Sequence, residues 1–197
     1  EYLNEYFSEM SEVIIKNQGT IDKYIGDSIM AVWGAPKPQE EHALFACRTA
    51  LAHQAKMQQL TKIWKKKGKP ILNAKIGIAS GETIVGNIGS LGHFNYTVIG
   101  ESVNLCSEIE KLNRTYGTKI LVNADTYQKT KHDFHFREID EIVSKGRRKI
   151  RIYELMGEKN RINEPYLELI TNYHTALQAM RQKKYALALE HLSQCRK

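Results

Sequence analysis

Cysteine is scarce in this chain. The three present, Cys47, Cys106 and Cys195, are widely spaced, odd in number and without metal-ligand spacing. That excludes a disulfide framework and a zinc-binding module, and it indicates free thiols in a reducing compartment such as the cytoplasm. Long apolar runs are also missing. No stretch approaches the ~20 residues that cross a bilayer, and no signal-peptide pattern opens the chain. An excess of acidic residues is absent too: 29 Lys and Arg face 22 Asp and Glu, for a formal charge of +7. A basic balance suits nucleic acid, a membrane surface or a phosphate-rich ligand. No nucleic-acid-binding motif accompanies it, and most of the basic residues are scattered. Two short clusters stand out, Lys65-Lys66-Lys67 with Lys69 and Arg147-Arg148-Lys149 with Arg151. The first follows Trp64 at the end of a helical stretch, where positive charge complements the helix dipole.

What is present is a globular pattern. The apolar fraction of 42% suffices for a core. Leu3, Phe7, Met10, Val13 and Ile14 recur at helical spacing over 1–17. Residues 20–33 read as two short strands around the turn signal Gly26-Asp27. Ala35-Pro36-Lys37-Pro38 is a loop, and a long amphipathic helix runs from 40 to 67, with Ala43, Ala46, Ala50, Met57 and Leu60 facing the core. Gly68 and Pro70 end it. Strands are expected at 74–79 and 83–88, paired around Ser80-Gly81-Glu82, and at 94–99. A helix over 101–116 stops at Gly117. A strand at 119–122, a short helix at 124–129 and a strand pair at 134–143 and 149–155 close an α+β unit. From Glu164 the pattern is purely helical. Leu167, Ile170, Tyr173, Leu177 and Met180 form one stripe, and Tyr185, Ala188, Leu189 and Leu192 a second. This hairpin resembles one tetratricopeptide-like unit, too short to stand alone, so it either packs on the domain or opens a longer array.

Taken singly, the polar candidates are bland. Gly-Asp at 26–27 is ordinary turn chemistry. Asn104 sits in a first helical turn, where polar side chains serve free N–H groups. Lys23 reads as a solvated lysine, and Thr97 as a good strand former.

Longer strings carry more. GTIDKYIGDSIMAVWGAP (19–36), NAKIGIASGETIVGNIGS, NYTVIGESVNLCSEIEKLN and FREIDEIVSKGRRKIRIYEL resemble, in order and spacing, four blocks of the class III adenylate and guanylate cyclase catalytic domain. Four ordered blocks make the resemblance specific, as a lone motif does not. It implies a ferredoxin-like βαββαβ core over 1–157, followed by a helical tail over 158–197. It also implies a head-to-tail homodimer with interfacial sites, ATP as substrate, and two Mg²⁺ or Mn²⁺ ions.

In that resemblance Asp27 is one of two metal carboxylates, hard oxygen donors for hard cations. Lys23 and Thr97 read the base: the lysine donates to a ring nitrogen that accepts in adenine but is protonated in guanine, and the threonine accepts from the adenine amino group. Guanylate cyclases of the family usually place an acidic residue at the Lys23 position, and a threonine at 97 resembles the subgroup reported to respond to bicarbonate. Asn104 holds the ribose. Arg147, with Lys145 as substitute, meets the terminal phosphates. Asp27 and Lys23 would serve opposite sites of the dimer.

Two departures are visible. The family's opening strand, with its second metal carboxylate in an Asp-[Ile/Val]-x-[Gly/Asp]-Phe context, has no counterpart here, so the first strand is expected to be missing. Glu108 stands where the family places a transition-state arginine, four residues after the asparagine on the same helix face. The resulting expectations are an adenylate cyclase with an upstream sensor domain, a catalytically silent cyclase-like regulatory module, or a basic interaction module without a nucleotide role.

Overall fold

The computed structural model describes residues 2–90, 92–146, 148–161 and 164–195. Its elements follow the expected order. Helix α1 (Tyr2–Lys16) leads into β1 (Thr20–Ile25) and β2 (Ser28–Val32), an antiparallel hairpin closed by Gly26-Asp27. Helix α2 (His42–Lys66) precedes β3 (Ile76–Ile78), so the order α1–β1–β2–α2–β3 follows the αββαβ part of the expected βαββαβ unit, with the β1–β2 hairpin and β3 in separate sheets. Strands β4 (Ile84–Ser90) and β5 (His93–Ile99) form a second antiparallel hairpin. Then come α3 (Glu101–Tyr116), β6 (Ile120–Asn123), α4 (Ala124–Thr130), β7 (Phe134–Val143), β8 (Lys149–Glu158), α5 (Glu164–Arg181) and α6 (Tyr185–Gln194).

The central sheet has the order β3-β6-β8-β7, parallel at β3/β6 and antiparallel elsewhere. Alternation along β6 sorts its side chains onto two faces. Ile120 and Val122 pack with Leu44, Cys47 and Ala50 of α2 and with Phe134, Phe136, Tyr153 and Leu155. Leu121 faces the other way, onto Leu105 and Ile109 of α3 and Ile152. The sheet is therefore covered on both sides, and all four residues of β6 are buried. A third cluster joins α1 to α2 through Tyr6, Met10, Met57, Leu60 and Trp64, the last wholly buried. Truncating a buried tryptophan of this kind to alanine costs about 3–5 kcal/mol.

One expectation fails. The strands at 74–79 and 83–88 do not pair with each other: β3 joins β6, and β4 joins β5. The reason lies at Ser80, which is buried rather than exposed at a turn. Its backbone N–H donates to Asn123 Oδ1 and Thr126 Oγ1 at 3.1 and 3.0 Å, and its carbonyl accepts from Asn123 Nδ2 at 2.9 Å. Asn123 also caps α4 by accepting from the Thr126 N–H. The chain is thus pinned against β6 and α4 as it leaves β3, and β4 departs in a new direction.

The helical hairpin packs on the domain through α5. The Glu138 N–H on β7 donates to His174 Nε2 at 3.1 Å, Arg181 pairs with Glu138 at 2.5 Å, and the Arg137 guanidinium lies 4.9 Å from the Tyr173 ring centre. On the stripe expected to be apolar-facing, Ile170 is buried, but Met180 is 50% exposed. Tyr185 and Leu189 of α6 are exposed as well.

Candidate functional site

Two strands bring the base-reading candidates together. Lys23 on β1 donates from Nζ to Thr97 Oγ1 on β5 at 3.0 Å. Thr97 is buried, whereas the Lys23 side chain is 43% exposed, so the hydroxyl is shielded while the ammonium stays partly open to solvent. A third side chain, not singled out in the sequence, completes the group. Asp22 Oδ2 accepts from Thr97 Oγ1 at 3.0 Å and lies 3.3 Å from Lys23 Nζ.

Neighbouring residues of a regular strand point to opposite faces, which is why sequence reasoning passes over Asp22. The pairing of β1 with β2 shifts between Ile21 and Lys23, leaving Asp22 as an extra residue. A bulge of this kind re-aims side chains and is common beside functional sites. It lets Asp22 and Lys23 reach one threonine.

Asp27 is exposed in the β1–β2 turn and has no hydrogen bond or ion pair among the described residues. It acts at a distance on Tyr6 of α1, whose hydroxyl is pushed up first by burial and then by the Asp27 charge. Among the described residues no cluster of three or more His, Cys, Asp or Glu could hold a metal ion. Asp27 by itself offers a single carboxylate, fewer oxygen ligands than a pair of divalent ions requires.

Helix α3 carries Asn104 and Glu108 one turn apart, on one face. Asn104 is exposed, and its backbone N–H returns to the Gly100 carbonyl at 3.4 Å. Glu108 is half-buried. It accepts the Lys145 backbone N–H at Oε2, 3.3 Å away, in the loop between β7 and β8. Glu101 of the same helix pairs with Arg148, and the Ser144 N–H bonds the Arg148 carbonyl at 2.9 Å across that loop. Two carboxylates of α3 thus tether the basic loop, a job for Glu108 that its sequence position does not reveal. Lys145 and Arg148 are exposed, and Arg147 lies outside the described residues.

The cysteines take no part. Burial pushes the Cys47 thiol up to about 12 and the Cys106 thiol to about 11, which leaves both protonated and poor nucleophiles. No disulfide joins the three.

Comparison with known proteins fits this arrangement. Residues 1–157 match the family described as adenylate and guanylate cyclase catalytic domain. The chain is 35% identical over 162 residues to adenylate cyclase 1 of Rhizobium meliloti, covering 82% of this chain and 24% of that protein. It spans, then, about a quarter of that relative's length. Among solved structures, the adenylyl cyclase CyaB from P. aeruginosa superposes with a TM-score of 0.73 at 32% identity, over 82% of this chain and 83% of that one. The guanylyl cyclase Cya2 superposes with a TM-score of 0.70, also at 32% identity, over 82% and 81%. With the ordered motif blocks, the α+β architecture and these likenesses in agreement, the chain belongs to the adenylate and guanylate cyclase catalytic domain family.

Proposed function

We propose that this domain is an adenylate cyclase, converting ATP to 3′,5′-cyclic AMP and pyrophosphate in signal transduction. The observation that carries the reading is the contact between Lys23 and Thr97. The general likeness does not choose the nucleotide, since an adenylyl and a guanylyl cyclase structure match at equal identity. The pair supports adenine. Adenine presents an acceptor ring nitrogen beside a donor amino group, and an ammonium beside a hydroxyl oxygen answers both. Guanine presents a ring N–H and a carbonyl oxygen there, which would set donor against donor and acceptor against acceptor.

In the reaction the ribose 3′ oxygen loses its proton and bonds to the α-phosphorus, while the bond from that phosphorus to the β-phosphate oxygen breaks. The protein's part is to position groups and balance charge. Asn104 holds the ribose. Arg147, with Lys145 as substitute, meets the β- and γ-phosphates, and Lys145 is tethered to α3 through Glu108. Glu108 takes up the tether instead of the arginine's task, so positive charge at the phosphates comes from the loop. When bound, Mg²⁺ or Mn²⁺ would supply Lewis-acid stabilisation of phosphoryl oxygens. Asp27 would be one ligand, and the described residues do not complete a two-ion set.

Exposed apolar residues along the second hairpin and its neighbour, Ile84, Phe94, Tyr96 and Ile99 with Tyr24 and Ile25, support a head-to-tail homodimer. Lys23 turns toward β5 while Asp27 is exposed in the β1–β2 turn, which suits the two serving different sites. Residues 1–157 would form the catalytic unit and 158–197 a tetratricopeptide-like tail. An upstream sensor domain fits the greater length of the curated relative. No described helix is long and apolar enough to cross a membrane, and a cytoplasmic setting suits the unpaired thiols.

The test is direct. The whole protein, supplied with ATP and Mn²⁺, should release cyclic AMP, and Asp27→Ala should abolish the product. Absence of product across a wide range of protein and metal concentrations would leave a silent nucleotide-binding module instead.

A further inference from the structure

We infer that Asp22 sets the choice of adenine over guanine, by fixing the direction of the Thr97 hydroxyl. The inference rests on the reading of Lys23 and Thr97 as the base-reading pair. A threonine hydroxyl alone is ambivalent: it donates or accepts as its proton rotates. Left free, Thr97 would receive an adenine amino group or donate to a guanine carbonyl equally well, and could not discriminate.

The three side chains remove that freedom. Their polar atoms form a closed triangle with edges of 3.0, 3.0 and 3.3 Å. A carboxylate only accepts and an ammonium only donates. Thr97 must therefore give its proton to Asp22 Oδ2 while receiving one from Lys23 Nζ. What remains on Thr97 Oγ1 is a single lone pair, an acceptor that suits the amino group of adenine and opposes the carbonyl of guanine.

Burial reinforces this. The Asp22 side chain is 3% exposed, so water does not compete for its oxygens and its hold on the hydroxyl is strong. The same carboxylate balances the lysine charge where the base would cover it. Asp22 does not touch the base. It is a positioning residue, brought to the site by the β1 bulge.

The experiment compares kcat/KM for ATP and GTP in the whole protein, and the binding of ATP and GTP by displacement of a fluorescent ATP analogue. Asp22→Asn keeps the shape but can turn an amide N–H toward Thr97, freeing its hydroxyl proton to point at the base. The ATP-to-GTP ratio should fall about ten- to a hundredfold in both measurements, the weight of one mispaired buried hydrogen bond. Asp22→Ala should move the ratio the same way and serves if the Asn variant misfolds. In a Thr97→Val background neither change should alter the ratio further. An equal loss with both nucleotides, leaving the ratio where it was, would overturn the inference and make Asp22 merely structural. Lys23→Glu separates the two levels. If Lys23→Glu shifts the ratio while the Asp22 variants do not, only this inference fails; if it too leaves the ratio unmoved, the base-reading assignment itself is wrong.

Discussion

Gly77 on β3 is where the fold and the site are most tightly joined. A Cβ built there would lie 2.5 Å from the Cys106 carbonyl oxygen, 2.6 Å from the Glu110 nitrogen and 2.9 Å from the Glu110 Cα. All three atoms are backbone of α3, so no side chain can swing aside. Ordinary contact begins near 3.4 Å, which means that Gly77→Ala must push α3 away from β3 by roughly 0.9 Å, an overpacking strain of about 2–3 kcal/mol. Two hydrogen bonds that seat the helix would stretch with it, Asn113 Nδ2 to the Ile76 carbonyl at 2.9 Å and Cys106 Sγ to the Gly77 carbonyl at 3.1 Å. The melting temperature should fall by about 4–12 °C, at about 2–4 °C per kcal/mol for a chain of this size. Because α3 also carries Asn104, proposed to hold the ribose, the cyclase rate should drop about a hundredfold, the usual effect of misplacing a positioning group by 1 Å. Thermal melting and a cyclic AMP assay on the same preparation read both quantities. Gly86→Ala is the stability control, since a Cβ there meets nothing within 4 Å. A Gly77→Ala protein that melts within about 1 °C of the parent would refute the claim that direct backbone contact seats α3 on the sheet.

Two further outcomes are expected. Glu108→Gln keeps an acceptor for the Lys145 N–H but removes a charge from beside the proposed triphosphate site; kcat/KM for ATP should rise about tenfold, as for a charge repulsion of about 1.5 kcal/mol at ~10 Å in an effective dielectric near 20, and an unchanged or lower value would show that Glu108 does not oppose the substrate. Burial lowers the pKa of His42, His53 and His174 from the ordinary 6.5, so the folded chain resists protons that the unfolded chain binds; stability is complete above that value and is lost as pH falls through it. The melting temperature should therefore decline between about pH 7.5 and about pH 5.5, with a shallower slope in His174→Gln, which still offers an acceptor to the Glu138 N–H; a melting temperature that rises over the same interval would contradict the burial argument.

Much of this molecule is legible in its residues. The 3.6-residue pattern from about 101 to 116 and the Gly117 stop place α3, observed at Glu101–Tyr116, and residues 134–143 match β7. The candidate site residues Asp27, Lys23, Thr97, Asn104 and Lys145 come from ordered motif strings, which carry chemistry because spacing within a strand or helix is local. Strand partners are not local. The hairpin expected between 74–79 and 83–88 fails because Asn123 and Thr126, more than forty positions away, seize Ser80.

By itself, then, the sequence determined the element types, the family and the positions of its motif residues, because period and turn chemistry act over a few neighbours. Only tertiary structure decided that β4 leaves β3 for β5, that Glu108 ties down the Lys145 loop, and that a bulge turns Asp22 onto Thr97. Those outcomes depend on hydrogen bonds between segments far apart in the chain, and no periodicity records which distant partner a polar group will find.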